Sequence, residues 1–157
     1  MEPMTFAFEE MIGNFELSGS AAIFEGAVPG PPLDTVDPHN GTRTVRVGQD
    51  WWVLATWTCT GWMNNAIGGT WHVRVFFERM GIGEFALMPG GPVSVPFVSA
   101  DPHTYIKDLP FPATSMSVPA GLYKPTLSIT MSGPGGVALP IAAVAEGPVI
   151  QFYDVGP

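Results

Sequence analysis

Apolar and polar residues alternate with a period of two over most of this chain, the repeat that sends successive side chains to opposite faces of a β-strand. Arg43-Thr44-Val45-Arg46-Val47 alternates cleanly, and Gly48-Gln49-Asp50 follows as a turn. Trp51 to Cys59 is the strongest strand, with Trp51, Val53, Ala55, Trp57 and Cys59 on one face and Trp52, Leu54, Thr56 and Thr58 on the other. Trp71 to Glu78 repeats the pattern: Trp71, Val73, Val75 and Phe77 oppose His72, Arg74, Phe76 and Glu78. Shorter strands are expected over Ala21 to Glu25, Glu84 to Met88, Val93 to Val98, Ser115 to Val118, Val137 to Val144 and Val149 to Tyr153. A longer one begins at Gly121, where Leu127, Ile129 and Met131 alternate with Ser128 and Thr130. Glycine-rich turns separate these runs at 61–69, 81–83 and 133–136. About eight to ten short strands at regular spacing predict an all-β fold, an antiparallel β-sandwich of immunoglobulin-like or jelly-roll-like type.

Gly121-Leu122-Tyr123 followed by alternating residues resembles a late strand of immunoglobulin-like or fibronectin-like sandwiches. The resemblance is confined to that strand and implies the sandwich architecture alone. The inter-sheet cysteine pair of antibody domains is absent, because Cys59 is the single cysteine.

Residues 1–28 read differently, as an N-terminal arm ahead of a sandwich domain over 33–157. Phe6 and Phe8 alternate like a strand, whereas Phe8, Met11, Ile12 and Phe15 have helical spacing. Pro29-Gly30-Pro31-Pro32 is a stiff break that continues neither helix nor central strand. An apolar arm on such a hinge is expected to fold back or to swap onto a neighbouring copy.

Composition narrows the partners. The chain has 157 residues, enough for one self-sufficient core without disulfide or metal. Only 13% of residues are charged, about half the usual share, and charge depletion is a property of interface centres. Net charge is −8 with six Lys and Arg and no basic cluster, which argues against nucleic acid and anionic membranes. No apolar run reaches the ~18 residues that membrane insertion needs. The opening Met1-Glu2-Pro3-Met4 has neither the basic nor the apolar region of a secretory signal, so cytoplasmic synthesis is expected.

Catalytic patterns are sparse. Cys59 falls on the presumed core face, where a thiol is inert, and His72 lies on the opposite face of its own strand. There is no Gly-x-Ser-x-Gly elbow and no phosphate loop. A metal would need Asp37-Pro38-His39 and Asp101-Pro102-His103 to meet; two Asp-Pro turns are the simpler account. Neither catalysis, nor a cofactor, nor a metal is therefore expected. The expected function is a structural subunit of a homo-oligomer, filament, shell or decoration layer, partnered by itself or another assembly protein. Phe6, Phe8, Met11, Ile12 and Phe15 of the arm would seat against Trp52, Leu54 and Phe76. The alternative is a carbohydrate or small-ligand module using Trp52, Trp62, Asn64 and Asn65.

Overall fold

The computed structural model describes residues 2–10, 15–81, 86–87, 92–112 and 118–155, with side chains at all of these except 8–10 and 86–87. The described strands are β1 (Met4–Thr5), β2 (Ala7–Glu10), β3 (Glu16–Glu25), β4 (Thr44–Arg46), β5 (Trp51–Thr60), β6 (Thr70–Arg79), β7 (Ala86–Leu87), β8 (Val93–Pro96), β9 (His103–Phe111), β10 (Gly121–Ser132), β11 (Ala138–Glu146) and β12 (Ile150–Tyr153). They form two sheets. The smaller runs β1-β3-β5-β9; in the larger, β10 is flanked by β6 on one edge and by β11 and β12 on the other. β2 extends the larger sheet beyond β11, and β7 and β8 extend it beyond β6. Pairing is antiparallel except for β4 with β12, which run parallel. Among the described residues, no helix is long and apolar enough to cross a membrane.

From β5 onward the chain changes sheet between β5 and β6, between β8 and β9, and between β9 and β10. This places β5 beside β9, and β10 between β6 and β11, an arrangement that immunoglobulin-like sandwiches share. Two further features fit it. Trp71 is fully buried on β6, and the Tyr123 hydroxyl near the start of β10 donates to the Pro119 carbonyl at 2.7 Å. The second is the corner tie by which such sandwiches pin the entry to a late strand.

The inward parity read for β5, β6 and β10 is the parity of the core. Aromatic clusters fill both ends. At one, Trp51 stacks on Phe111 at 4.2 Å and meets Phe77 and Phe152; at the other, Trp57 stacks on Tyr105 at 5.2 Å and meets Trp71 edge-on at 6.0 Å. Val53, Ala55, Val73, Val75, Leu127 and Ile129 pack in the middle.

Pro125 stands mid-strand in β10, where a proline removes a ladder hydrogen bond. The fold absorbs the loss with a bulge. β11 and β12 follow one another along the same edge of β10, and the register slips at Gly147 and Pro148 between them. Pro125 faces that slip, and its carbonyl accepts from the Gly147 N–H at 3.0 Å.

The N-terminal segment is part of this sandwich. β1 pairs with β3 in the smaller sheet, the Phe6 N–H donates to the Gly19 carbonyl, and β2 then pairs with β11 in the larger sheet. β3 pairs with β5 along its whole length, from Glu16 opposite Thr60 to Glu25 opposite Trp51. The division expected between 28 and 33 is therefore not a boundary in the sheets. Pro29 to Pro32 begins a crossing segment instead, with 3-10 turns at Leu33–Thr35, beside β9, and Pro38–Asn40, beside β3.

Candidate binding groove on the outer face of the larger sheet

The residues expected at an interface fall into three environments. Phe6 and Phe15 are buried in the chain's own core, where Phe15 stacks on Trp71 at 6.4 Å. Phe8 is placed opposite Ala143 by the β2–β11 register, and Met11 and Ile12 lie outside the described residues. Trp52 and Leu54 do point away from the core, yet each is only 3% exposed. Trp52 stacks on Phe24 at 4.7 Å. Their row on the smaller sheet is roofed by the 26–43 segment: the Thr42 N–H donates to the Ile23 carbonyl, and Gly41 lies so close that a Cβ there would sit 3.2 Å from the Ala22 Cβ. Strand parity alone joins Phe76 to Trp52 and Leu54 in one acceptor face. β5 and β6 belong to different sheets, so Phe76 faces outward on the opposite side of the molecule.

The ligand residues expected in the alternative also divide. Trp62 is 58% exposed and Asn65 is exposed, but Asn64 is fully buried in the 3-10 turn Trp62–Asn65. The two Asp-Pro-His segments stay apart. His39 Nδ1 lies 3.0 Å from Asp37 Oδ1, beside β3, whereas Asp101 accepts from the Gly61 N–H at 2.8 Å past the end of β5. The backbone and ring N–H of His39 hold the Asp37 carboxyl below its ordinary range. Among the described residues, no three His, Cys, Asp or Glu side chains converge on a metal-sized site.

What the structure does assemble lies on the outer face of β6, β10 and β11. Antiparallel register sets Arg74 beside Ser128 and Val144, and His72 beside Thr130 and Ala142. Two adjoining hollows run over these rows. One, of about 470 Å³, is lined by His72, Thr130, Ser132, Leu139, Pro140 and Ala142 among others. The next, of about 350 Å³, is lined by His72, Arg74, Phe76, Pro92, Ser128 and Thr130. His72 and Thr130 belong to both, so the hollows form one groove.

Hydroxyls hold the histidine on both sides. His72 Nε2 lies 2.7 Å from Ser132 Oγ and Nδ1 lies 3.5 Å from Ser94 Oγ. A hydroxyl can donate or accept, so either imidazole tautomer is accommodated. The Arg74 guanidinium sits 5.9 Å above the Phe76 ring, and its buried Nε has no hydrogen-bond acceptor among the described residues.

Ser132 and His72 are within reach of a nucleophile–base pair, but the outer ring nitrogen meets Ser94 rather than a carboxylate. The groove floor is sheet, whose amides are committed to the ladder and offer no oxyanion donors. Cys59 is fully buried, and burial pushes its thiol up to about 12, well away from a reactive thiolate. Strand parity places His72 and Arg74 on the outer face of β6 but identifies no partner for them. Ser132 is 60 residues from His72, and only the β6–β10 register brings them together.

No protein-family model matches this chain, and no curated protein does. Among solved structures, a crystal structure of the putative ApaA protein from Bordetella pertussis matches over 90% of this chain and 98% of that one, at 11% identity and a TM-score of 0.37.

Proposed function

We propose that this protein is a non-catalytic β-sandwich binding module that takes its ligand in the groove on the outer face of the larger sheet. The observation that carries this reading is the contrast between the two outer faces. The smaller sheet's face is roofed by the chain's own 26–43 segment, while the β6–β10–β11 face keeps an open groove over His72, Arg74 and a row of hydroxyls. A concave site with a few convergent polar groups on rigid strands is the usual form of a ligand site. The test is a fragment and glycan screen followed by amide chemical-shift mapping. Ligands should perturb outward residues of β6 and β10, and Thr130→Trp, which sets a large ring where the two hollows join, should abolish binding in a folded protein. Hits that map to Trp62 and survive Thr130→Trp would refute it.

A second reading, a self-assembling subunit, is favoured by one end of the sandwich. Trp62 is 58% exposed, Val98 42% and Val137 68%. Their loops gather where the Phe97 N–H donates to the Gly69 carbonyl and where Gly69 abuts the Ser132 carbonyl. Exposed aromatics ringed by aliphatics are common anchors between subunits. Light scattering should then give a defined multimer that Trp62→Ala dissociates; a monomer at high concentration would remove this reading.

A further inference from the structure

We propose that the groove recognises an oxyanion, a carboxylate or sulfate-like group of the ligand, with Arg74 as the charged anchor and His72, Ser128 and Thr130 as neighbouring donors. This rests on the groove being the binding site and specifies what it binds.

Four observations converge. First, Arg74 lines the second hollow, and no carboxylate pairs with its guanidinium among the described residues. Second, the guanidinium carbon lies 5.9 Å from the centre of the Phe76 ring, a contact that restrains a side chain that is otherwise flexible. A planar fork held in place matches two oxygens of one anionic group. Third, the lining of both hollows contains no Asp or Glu. Among the described residues, the nearest acids on this face are Glu78 and Glu146, beyond or level with Phe76, and Glu146 is paired with Lys124 at 3.3 Å. The His72 row continues through Thr130 and Ala142 to Glu10 on β2, three strand spacings or about 14 Å from β6. Fourth, the chain carries a net charge of −8 and six Lys and Arg in all. A cation set without a carboxylate partner among the described residues, in such a background, is a locally selective place for an anion.

The strand register gives the anion its donors. Ser128 lies beside Arg74 and Thr130 beside His72, so hydroxyls flank the guanidinium on the neighbouring strand. Ser132 and Ser94 fix the imidazole from either side. Leu139, Pro140 and Ala142 extend the groove away from Arg74 as an apolar wall for the rest of the ligand.

The experiment uses the full chain in chloride buffer at low ionic strength. Sulfate, succinate and the neutral isostere succinamide are titrated while the Arg74 Nε–H and the β6 and β10 amides are followed by NMR. Sulfate or succinate should shift the Arg74 Nε–H saturably, and succinamide should not. Arg74→Gln should weaken binding about tenfold or more, with the remaining amide spectrum unchanged; that scale follows from losing a charge-assisted pair. Arg74→Lys, which keeps charge but not the fork, should recover part of the loss. Equal saturable shifts from succinate and succinamide, unaffected by Arg74→Gln, would overturn the oxyanion inference and leave the groove as a neutral-ligand site. Absence of any saturable shift with all three would overturn the inference outright.

Discussion

Replacing Trp52 by Ala separates an internal role for this side chain from an intermolecular one. Trp52 is 3% exposed, stacks on Phe24 at 4.7 Å with planes 18° apart, and lies under the 26–43 crossing. A buried tryptophan removes up to about 250 Å² from water, which at ~25 cal/mol per Å² gives an upper bound of about 6 kcal/mol. Truncations of this kind cost about 3–5 kcal/mol in practice. Phe24 is half-buried, so the space left by Trp52 opens toward solvent and collapses in part, which places the expected loss near 3 kcal/mol. That is a large share of the roughly 5–15 kcal/mol a domain has. With a urea slope of about 2 kcal/mol per molar, the midpoint should fall by about 1.5 M. Far-UV circular dichroism is the suitable probe, because the substitution itself alters tryptophan fluorescence. Trp62→Ala, at a site 58% exposed, should stay within about 0.5 kcal/mol and serves as the control. A loss below about 1 kcal/mol for Trp52→Ala, with a fall in particle mass, would refute the covered-face argument and restore Trp52 as a contact between subunits.

Three further outcomes follow from the packing. Gly19 sits opposite Trp57 on β3, where a Cβ would run into the Thr56 carbonyl and come within 2.8 Å of Trp57 Cα; Gly19→Val should cost about 2 kcal/mol or more, read as a lower thermal midpoint. Cys59 should resist an aromatic disulfide reagent in the native state. Because burial raises its thiol from 9.0 to about 12, the unfolded chain ionises first, and stability should drop as pH climbs through that window. The drop should be about 1.4 kcal/mol between pH 8 and pH 10 and should vanish in Cys59→Ala, measured by urea titration at each pH. Tyr123→Phe removes the 2.7 Å bond to the Pro119 carbonyl and should cost about 1 kcal/mol by the same titration.

The strands that were legible in the sequence are those whose parity is decided by burial on one face. Trp51 to Cys59, Trp71 to Phe77 and Leu127 to Met131 each present an unbroken apolar row, and each row is core. β9 was missed because its sequence contradicts that pattern. Lys107 stands in the same row as Tyr105 and Leu109, and Pro110 interrupts the run. Both belong to an edge strand. β9 ends the smaller sheet, and an inward charge and a proline are devices that keep such an edge from pairing with another chain. The features that hid the strand therefore state its position, and they also weigh against assembly by strand addition at that edge.

The N-terminal residues were harder for a different reason. Met4 and Phe6 are buried while Thr5 and Ala7 are exposed, so the period of two runs on through the switch from one sheet at Met4–Thr5 to the other at Ala7–Glu10, and nothing in the local pattern marks that switch. Phe6 and Phe15 looked like the apolar face of a free arm because nothing local identifies the sheets that bury them. Outer-face residues carry the same ambiguity. Trp52 and Phe76 have equivalent parities on consecutive long strands, yet one is sealed by a proline-rich crossing and the other borders an open groove. Parity tells which way a side chain points; what lies above it depends on the path of loops and on register between strands far apart in the chain. Those same two factors bring Ser132 to His72 and set Ser128 beside Arg74. The groove's chemistry is thus a property of the β6–β10 register, and a shift of that register by one residue would turn Ser128, Thr130 and Ser132 into the core and dismantle the site together with the fold.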